Sequence, residues 1–113
     1  MQVGGAEIRE VEIAFETVDG TECEFEYELK AQGEEKAKIE TKSPDGHKEK
    51  RKSDEAVAEV KGMIERMNPR PGMTREDLIE SACRALDLDR STLRSLEVEV
   101  AFSNGEELKA KLH

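Results

Sequence analysis

Hydrophobic and polar residues alternate along three segments in the first half of the chain. The segments are EVEIAFET (10–17), TECEFEYELK (21–30) and KAKIETK (36–42). A period of two residues is typical of a strand with one buried side. The turn signals VDGT, QGEE and SPDG follow these segments, and Asp-Gly pairs favour hairpins. The pattern therefore predicts three consecutive antiparallel strands. The next stretch, HKEKRK (47–52), is polar throughout and fits either a short edge strand or a loop.

The period changes to about 3.6 residues after residue 52. Ser53 is a candidate N-cap, and the apolar positions that follow lie on one helical stripe. They are Ala56, Val57, Val60, Met63, Ile64 and Met67. NPRPG ends this helix, and Thr74 opens a second one. The stripe of the second helix consists of Leu78, Ile79, Ala82, Cys83 and Leu86. We interpret Met63 and Met67 as core residues rather than as a soft binding surface.

Alternation returns from Leu96 to Phe102 and again from Leu108 to Leu112, with the turn SNGE between them. The order β-β-β-(β)-α-α-β-β predicts an α+β fold. We expect an antiparallel sheet of four to six strands with a helical hairpin packed on one face and water on the other. One domain should span residues 1–113, and its N-terminal segment 1–9 need not be ordered.

The chain is strongly acidic, with 18 basic and 27 acidic side chains and a net charge of −9. This charge disfavours a nucleic-acid partner, because the chain repels phosphates. No apolar run approaches the roughly 18 residues of a membrane span. The first ten residues have neither a basic nor an apolar signal region, so no signal peptide is expected there.

Glutamates occupy the polar side of the predicted first, second and fifth strands, whereas lysines occupy that of the third and last. If the spatial order is third, second, first, fifth, sixth, an acidic middle has basic margins. Glutamates opposed on the first two strands would repel each other. A regular strand spreads its carboxylates about 7 Å apart, which is poor geometry for one metal ion. We expect a solvated face, with weak binding of a cation or of a basic partner as the alternative.

The segment from Lys36 to Lys52 is basic, with seven Lys or Arg against three acids. It fits either a solvated hairpin protected by charge or a dock for an acidic partner. Together with the acidic row it forms the candidate interaction surface. Its residues are Glu22, Glu24, Glu26, Glu28, Lys48, Lys50, Arg51 and Lys52.

No other group of residues indicates catalysis or a metal site. His47 and His113 have no helical ligand partners, and there is no nucleophile elbow or phosphate-binding glycine loop. Cys23 and Cys83 have no metal spacing and are expected to be buried free thiols, with a disulfide between helix and sheet as the alternative. We therefore predict a protein that is not an enzyme, with no cofactor and no metal, and a monomer.

The chain resembles the YusW-like family, small proteins of Gram-positive spore-formers and their relatives. The resemblance rests on DGTECEFEYE, KIETK, SDEAVAEVKGMIERM, TREDLIESACRALDLD and LEVEVAFSNGEELK, and covers about residues 10–112. These motifs carry no catalytic residue. Members often begin with a lipoprotein or secretion signal, so the resemblance implies an extracytoplasmic location. Cys23 and Cys83 are not typical of the family.

Three functions are compatible with these patterns. The first is a non-enzymatic accessory or binding domain outside the cytoplasm, whose role and protein partner the sequence does not identify. The second is an idealised scaffold without a biological task, which regular alternation and capped helices would suit. The third is a protein-binding or inhibitor module that uses an exposed sheet edge.

Overall fold

The computed structural model describes residues 2–3 and 6–112. It confirms the α+β fold, with helices packed on an antiparallel sheet. The strands are β1 (Gln2–Val3), β2 (Ala6–Thr17), β3 (Glu22–Leu29), β4 (Glu35–Lys42), β5 (Lys48–Arg51), β6 (Leu93–Phe102) and β7 (Glu107–Leu112). The helices are α1 (Asp54–Met67) and α2 (Arg75–Leu86), and a short 3₁₀ turn (Arg90–Thr92) precedes β6.

The sheet order is β5-β4-β3-β2-β6-β7, and all of these neighbours are antiparallel. The short β1 pairs with the start of β2. The order is the one supposed in the discussion of the charge pattern, in which the first strand of the pattern lies between the second and the fifth. The polar segment 47–52, which fits either a strand or a loop, forms β5 at one edge.

Four hairpin loops share one hydrogen-bond pattern. In the loop between β2 and β3, the Thr17 N–H donates to the Thr21 carbonyl at 2.9 Å, and the Gly20 N–H donates back to the Thr17 carbonyl at 3.0 Å. Gly20 has a φ of 94°, which glycine adopts without a Cβ clash. The Asp19 side chain accepts from the Thr21 N–H at 3.0 Å. Since loop geometry sets hairpin register, these turns determine which outward side chains meet.

Both helices begin at the predicted caps and lie on the same side of the sheet. The Ser53 and Thr74 hydroxyl oxygens accept from the N–H groups of Ala56 and Asp77. Helix α1 packs on β3 and β4, and α2 packs on β6 and β7. The core between the layers includes Ile13, Met67 and Val98, each 0% exposed. Burying such side chains is the main driving force of folding.

The differences from the sequence pattern include the start of β2 and the burial of Cys23. Strand β2 starts at Ala6 rather than at residue 10, and its register against β6 shifts between Ile8 and Glu10. This bulge reverses the alternation, so that Ile8 is buried together with the odd-numbered Val11 and Ile13. A further difference is Cys23, which is half-buried rather than buried, whereas Cys83 is buried, and both thiols are free.

Candidate functional site

The outward side chains of the sheet form a surface that we call the outer face. Its middle row crosses five strands in the register Lys38, Glu26, Glu12, Glu99 and Lys109. Lysines therefore stand on β4 and β7, and glutamates stand on the three strands between them. The cross-strand partners of Glu12 are both glutamates, so the centre of the outer face has like charges directly opposed. Opposed like charges destabilise a sheet.

Three carboxylates converge at this centre. Glu12, Glu24 and Glu26 each bring one oxygen within 4.8 Å of the others, and we call them the acidic cluster. The expected spacing of about 7 Å along a strand does not apply here, because Glu12 comes from the adjacent strand and the side chains lean together. The spacing argument against convergence was therefore wrong.

Lys38 is the cation that approaches the acidic cluster. Its Nζ lies 3.1 Å from a carboxylate oxygen of Glu26, 3.5 Å from Glu24 and 3.6 Å from Glu40. Its side chain is only 21% exposed, because these carboxylates surround it. The ammonium thus contacts two of the three members of the acidic cluster, Glu24 and Glu26. One positive charge thus offsets part of the repulsion among several negative ones.

The pKa values at the centre reflect this imbalance. Partial burial, followed by the charges of Glu26 and Glu99, raises the pKa of Glu12 above its ordinary value. Partial burial and a hydrogen bond with Glu26 raise the pKa of Glu24. For Glu26 partial burial opposes ionisation, yet the hydrogen bonds from Lys38 and Glu24 bring its pKa below the ordinary value. Ionisation of the acidic cluster is therefore opposed by repulsion and partial burial, and additional cations would reduce that repulsion.

A depression lies next to the acidic cluster on the outer face. Ala14 forms part of its floor, and Glu24 and Glu97 stand directly across from Ala14 on the neighbouring strands. The depression has a volume of about 490 Å³, and its other charged walls include Glu16, Glu22 and Lys111. A small residue at position 14 thus leaves room between long acidic side chains.

The structure divides the candidate interaction surface between two faces. Glu22, Glu24, Glu26 and Glu28 lie on the outer face, and the register places Lys48 and Lys50 on the same face, opposite Lys42 and Glu40. Arg51 points to the helix side, where its guanidinium contacts Glu59 of α1 at 2.9 Å. Lys52 follows β5 and is exposed. The strand alternation separates Arg51 from the two lysines before it.

Neither His47 nor the two cysteines belong to the acidic cluster. His47 is exposed in the loop before β5, with its Nε2 3.7 Å from Glu49. His113 lies outside the described residues. Burial raises the pKa of both the Cys23 and the Cys83 thiols, and the Cys23 Sγ lies 3.7 Å from the Thr41 hydroxyl. The raised pKa values favour the protonated thiols, which are weaker nucleophiles than thiolates.

One polar contact was not predicted from the sequence. The hydroxyl of buried Tyr27 donates to Glu35 at 2.7 Å, and Lys61 of α1 contacts the same carboxylate at 3.0 Å. The Tyr27 hydrogen bond, followed by that from Lys61, lowers the pKa of Glu35. Glu35 has the same parity as the inward-facing Ala37 and Ile39. If the predicted strand had started at residue 35 instead of 36, the alternation would have placed Glu35 on the inner side.

A profile of YusW-like proteins matches residues 9–104 of the chain. The chain belongs to the YusW-like family. This confirms the resemblance that rests on the strand, turn and helix motifs. No curated protein sequence and no solved structure matches the chain.

The family match places the acidic cluster within the shared part of this YusW-like protein. Strands β3 and β4 lie wholly within residues 9–104, as do both helices, whereas β7 begins after them at Glu107. Among the described residues, neither helix is long and apolar enough to cross a membrane. The outer face is therefore built mainly from the elements that the family profile covers.

Proposed function

We propose that this YusW-like domain is a non-enzymatic binding domain whose outer face docks a Lys- or Arg-rich segment of a protein partner. The observation that supports this proposal is the repulsion at Glu12, whose cross-strand neighbours Glu26 and Glu99 are both acidic. A cationic segment laid over these positions gains attraction from several carboxylates at once. It also relieves the repulsion that the free domain contains.

The spacing of the acids favours an extended polypeptide over a single ion. Carboxylates at every second residue of β3 recur along the strand with a backbone repeat of about 6.6 Å. An extended peptide with a basic residue at every second position has the same repeat. Lys38 already fills the narrow gap between Glu24 and Glu26, whereas a peptide needs only the open side of the face. Such a partner would bind more weakly as salt concentration rises.

The proposed location is outside the cytoplasm, as the family resemblance implies. A secreted or lipid-anchored domain with an acidic face would meet cationic polypeptides at the cell surface. Fractionation of cells that carry the untagged native protein tests this part separately. Recovery of the protein with the cytoplasmic fraction would overturn the location without affecting the proposed binding surface.

Titration with a synthetic peptide tests the binding proposal. The probe alternates lysine with threonine, and the matched control peptide alternates glutamate with threonine. In NMR spectra of the ¹⁵N-labelled domain we expect the lysine probe to shift the amide signals of Glu12, Ala14 and Glu26. The control peptide should leave them unchanged, and higher salt should weaken the shifts.

Charge-neutral variants then locate the interaction. The double variant Glu12→Gln/Glu99→Gln should weaken binding of the lysine peptide about five-fold, since two exposed charge pairs at about 0.5 kcal/mol each contribute about 1 kcal/mol in total. The matched control is Glu65→Gln/Glu80→Gln, which removes the same charge from exposed positions on α1 and α2. Equal affinity of both double variants would mean that only net charge matters and would overturn the proposed surface.

A further inference from the structure

Strand β7 forms one edge of the sheet, and half of its backbone groups point away from its partner. The Phe102 N–H donates to the Glu106 carbonyl at 2.9 Å and closes the hairpin between β6 and β7. In an antiparallel ladder hydrogen-bonded pairs alternate with non-bonded pairs. The backbone groups of Glu107, Lys109 and Lys111 therefore face outward at the edge.

A hydrogen bond from α2 supports this assignment. The Arg75 Nη2 donates to the Lys111 carbonyl at 2.6 Å, which requires that this carbonyl point outward. The N–H of Lys111 and both backbone groups of Glu107 and Lys109 remain for another strand. Among the residues that the structure describes, β7 pairs with β6 alone.

The two edges of the sheet differ in what they offer on the helix side. At β5 the inward side chains are the polar Glu49 and Arg51, and every residue of the strand is exposed. At β7 the inward side chains are Leu108, Ala110 and Leu112, and the last of these is only half-buried. A peptide that pairs with β7 would extend the apolar layer on the helix side of the sheet. A peptide that pairs with β5 would not, because the inward side chains of β5 are polar.

Charges on the outer face select the type of peptide. Within the sheet, Lys111 stands opposite Glu97 and Lys109 opposite Glu99, just as Lys38 of β4 stands opposite Glu26. Each lysine strand thus lies beside an acidic strand. On the free side of β7, no strand in the described part of the chain brings an acidic neighbour to these lysines. The Lys109 side chain is 65% exposed, and its Nζ lies 3.7 Å from a carboxylate oxygen of Glu107 in the same strand.

We propose that the free edge of β7 binds an extended peptide that carries carboxylates at alternate positions and apolar residues between them. The peptide adds an antiparallel strand beyond β7, with its carboxylates beside Lys109 and Lys111 and its apolar side chains beside Leu108 and Leu112. This is strand addition, in which backbone hydrogen bonds provide affinity and alternate side chains provide specificity. When the peptide binds, its backbone N–H replaces Arg75 as the donor to the Lys111 carbonyl. The Arg75 guanidinium can then bind a carboxylate of the peptide. The partner is anionic, and the surface is separate from the outer-face site for cationic segments.

A capped peptide that alternates glutamate with valine and threonine is the probe. We expect it to shift the amide signals of Glu107 and Lys109 and to slow hydrogen exchange of their N–H groups about ten-fold or more. Judged from the signals of Glu107 and Lys109, a peptide with lysine in place of every glutamate, and one N-methylated on its pairing edge, should both bind β7 at least ten-fold more weakly. The lysine peptide should shift the outer-face signals instead. Equal binding of the lysine peptide at β7 would overturn the preference for carboxylates, and equal binding of the N-methylated peptide there would overturn strand addition.

Proline variants separate the two edges. Lys109→Pro removes an outward N–H without breaking the ladder to β6, because proline is tolerated where an edge N–H faces solvent. We expect a loss of affinity of about ten-fold or more. Lys50→Pro is the matched control, since the Lys50 N–H is outward on β5, and it should bind the probe like the unmodified domain.

Two further measurements keep the proposal testable if Lys109→Pro does not fold. Lys109→Gln keeps the backbone donor and should weaken binding about two- to five-fold at low salt. Sedimentation of the peptide-free protein tests whether a second copy occupies the edge instead. A dimer that the acidic peptide does not dissociate would overturn the proposal, as would signal shifts confined to β5.

Discussion

Replacement of Glu12 by glutamine should stabilise the domain near pH 7. Glu12 faces Glu26 on one side and Glu99 on the other, and none of the described basic side chains forms an ion pair with it. Glutamine has nearly the same shape and removes only the charge. The substitution therefore isolates the repulsion in the middle row of the outer face.

The size of the effect follows from the two opposed pairs. Like charges directly opposite each other in a sheet cost roughly 0.2–1 kcal/mol each. Two pairs on a solvated face, with Lys38 already offsetting Glu26, give a gain of about 0.5–1 kcal/mol in the free energy of unfolding. For a domain of this size that gain raises Tm by roughly 2–6 °C.

The dependence on pH has a definite sign. A carboxylate whose folded pKa is raised binds its proton more tightly when folded, so its contribution is lost as the pH rises through that pKa. The raised pKa of Glu12 thus makes the unmodified protein lose stability, relative to Glu12→Gln, from about pH 4.5 upward. Below that pH the two proteins should converge. Groups with lowered pKa, such as Glu35, act in both proteins and largely cancel in the difference.

Urea unfolding followed by circular dichroism measures this difference. We expect the gain at pH 7 to shrink when salt rises from about 20 mM to about 500 mM, because screening removes repulsion between exposed charges. Glu65→Gln is the control, since Glu65 is exposed on α1 and lies outside the sheet. A Glu12→Gln protein that is less stable than the unmodified one, or a gain that does not change with pH and salt, would refute the reasoning.

Three other substitutions or reactions test separate parts of the fold. Asp87→Gly should stabilise by about 0.5 kcal/mol in thermal unfolding, because Asp87 has a φ of 54° and places a negative charge at the end of α2; a loss of stability would contradict this. Tyr27→Phe should destabilise by about 1–2 kcal/mol in urea, because it removes the hydrogen bond to the charged Glu35; Tyr27→Phe unfolding like the unmodified protein would show that water replaces the hydroxyl. In native protein a thiol reagent should modify half-buried Cys23 before buried Cys83, as mass spectrometry of the peptides would show, and the reverse order would contradict the burial.

The alternation of the sequence was sufficient to predict the two layers, whereas the strand order was only supposed when the charges on the outer face were considered. A period of two residues assigns each side chain to one face, and Val98 is buried as this rule requires. The change to a helical period placed Ser53 and Thr74 at the helix starts, where their side chains accept backbone N–H groups. The faces of the strands and the starts of the helices depend on the local residue pattern and on the burial of apolar side chains. A single sequence is therefore enough to predict them.

Features that depend on a break in the pattern could not be predicted in this way. Ile8 lies on the buried face although its parity is opposite to that of Val11, because one extra residue bulges out of β2 between them. Strict alternation therefore placed the start of the predicted strand at residue 10 instead of Ala6. The position of Arg51 could have been predicted, since it follows from parity once 48–51 is known to be a strand. The segment has no apolar residues to identify it as one.

Convergence of the acidic cluster is a consequence of the core rather than of the acids themselves. The hairpin at Asp19-Gly20 sets a register in which Ile13 opposes Phe25 on the helix side, and the same register places Glu12 opposite Glu26 on the outer face. A slip of one residue would separate these glutamates but would also turn the apolar side chains of a whole strand to water. Each buried apolar side chain contributes roughly 1.5–3 kcal/mol, whereas an opposed pair of exposed glutamates costs roughly 0.2–1 kcal/mol. The sheet therefore keeps its repulsive centre, and a cation that binds to the outer face would relieve the repulsion without disturbing the core.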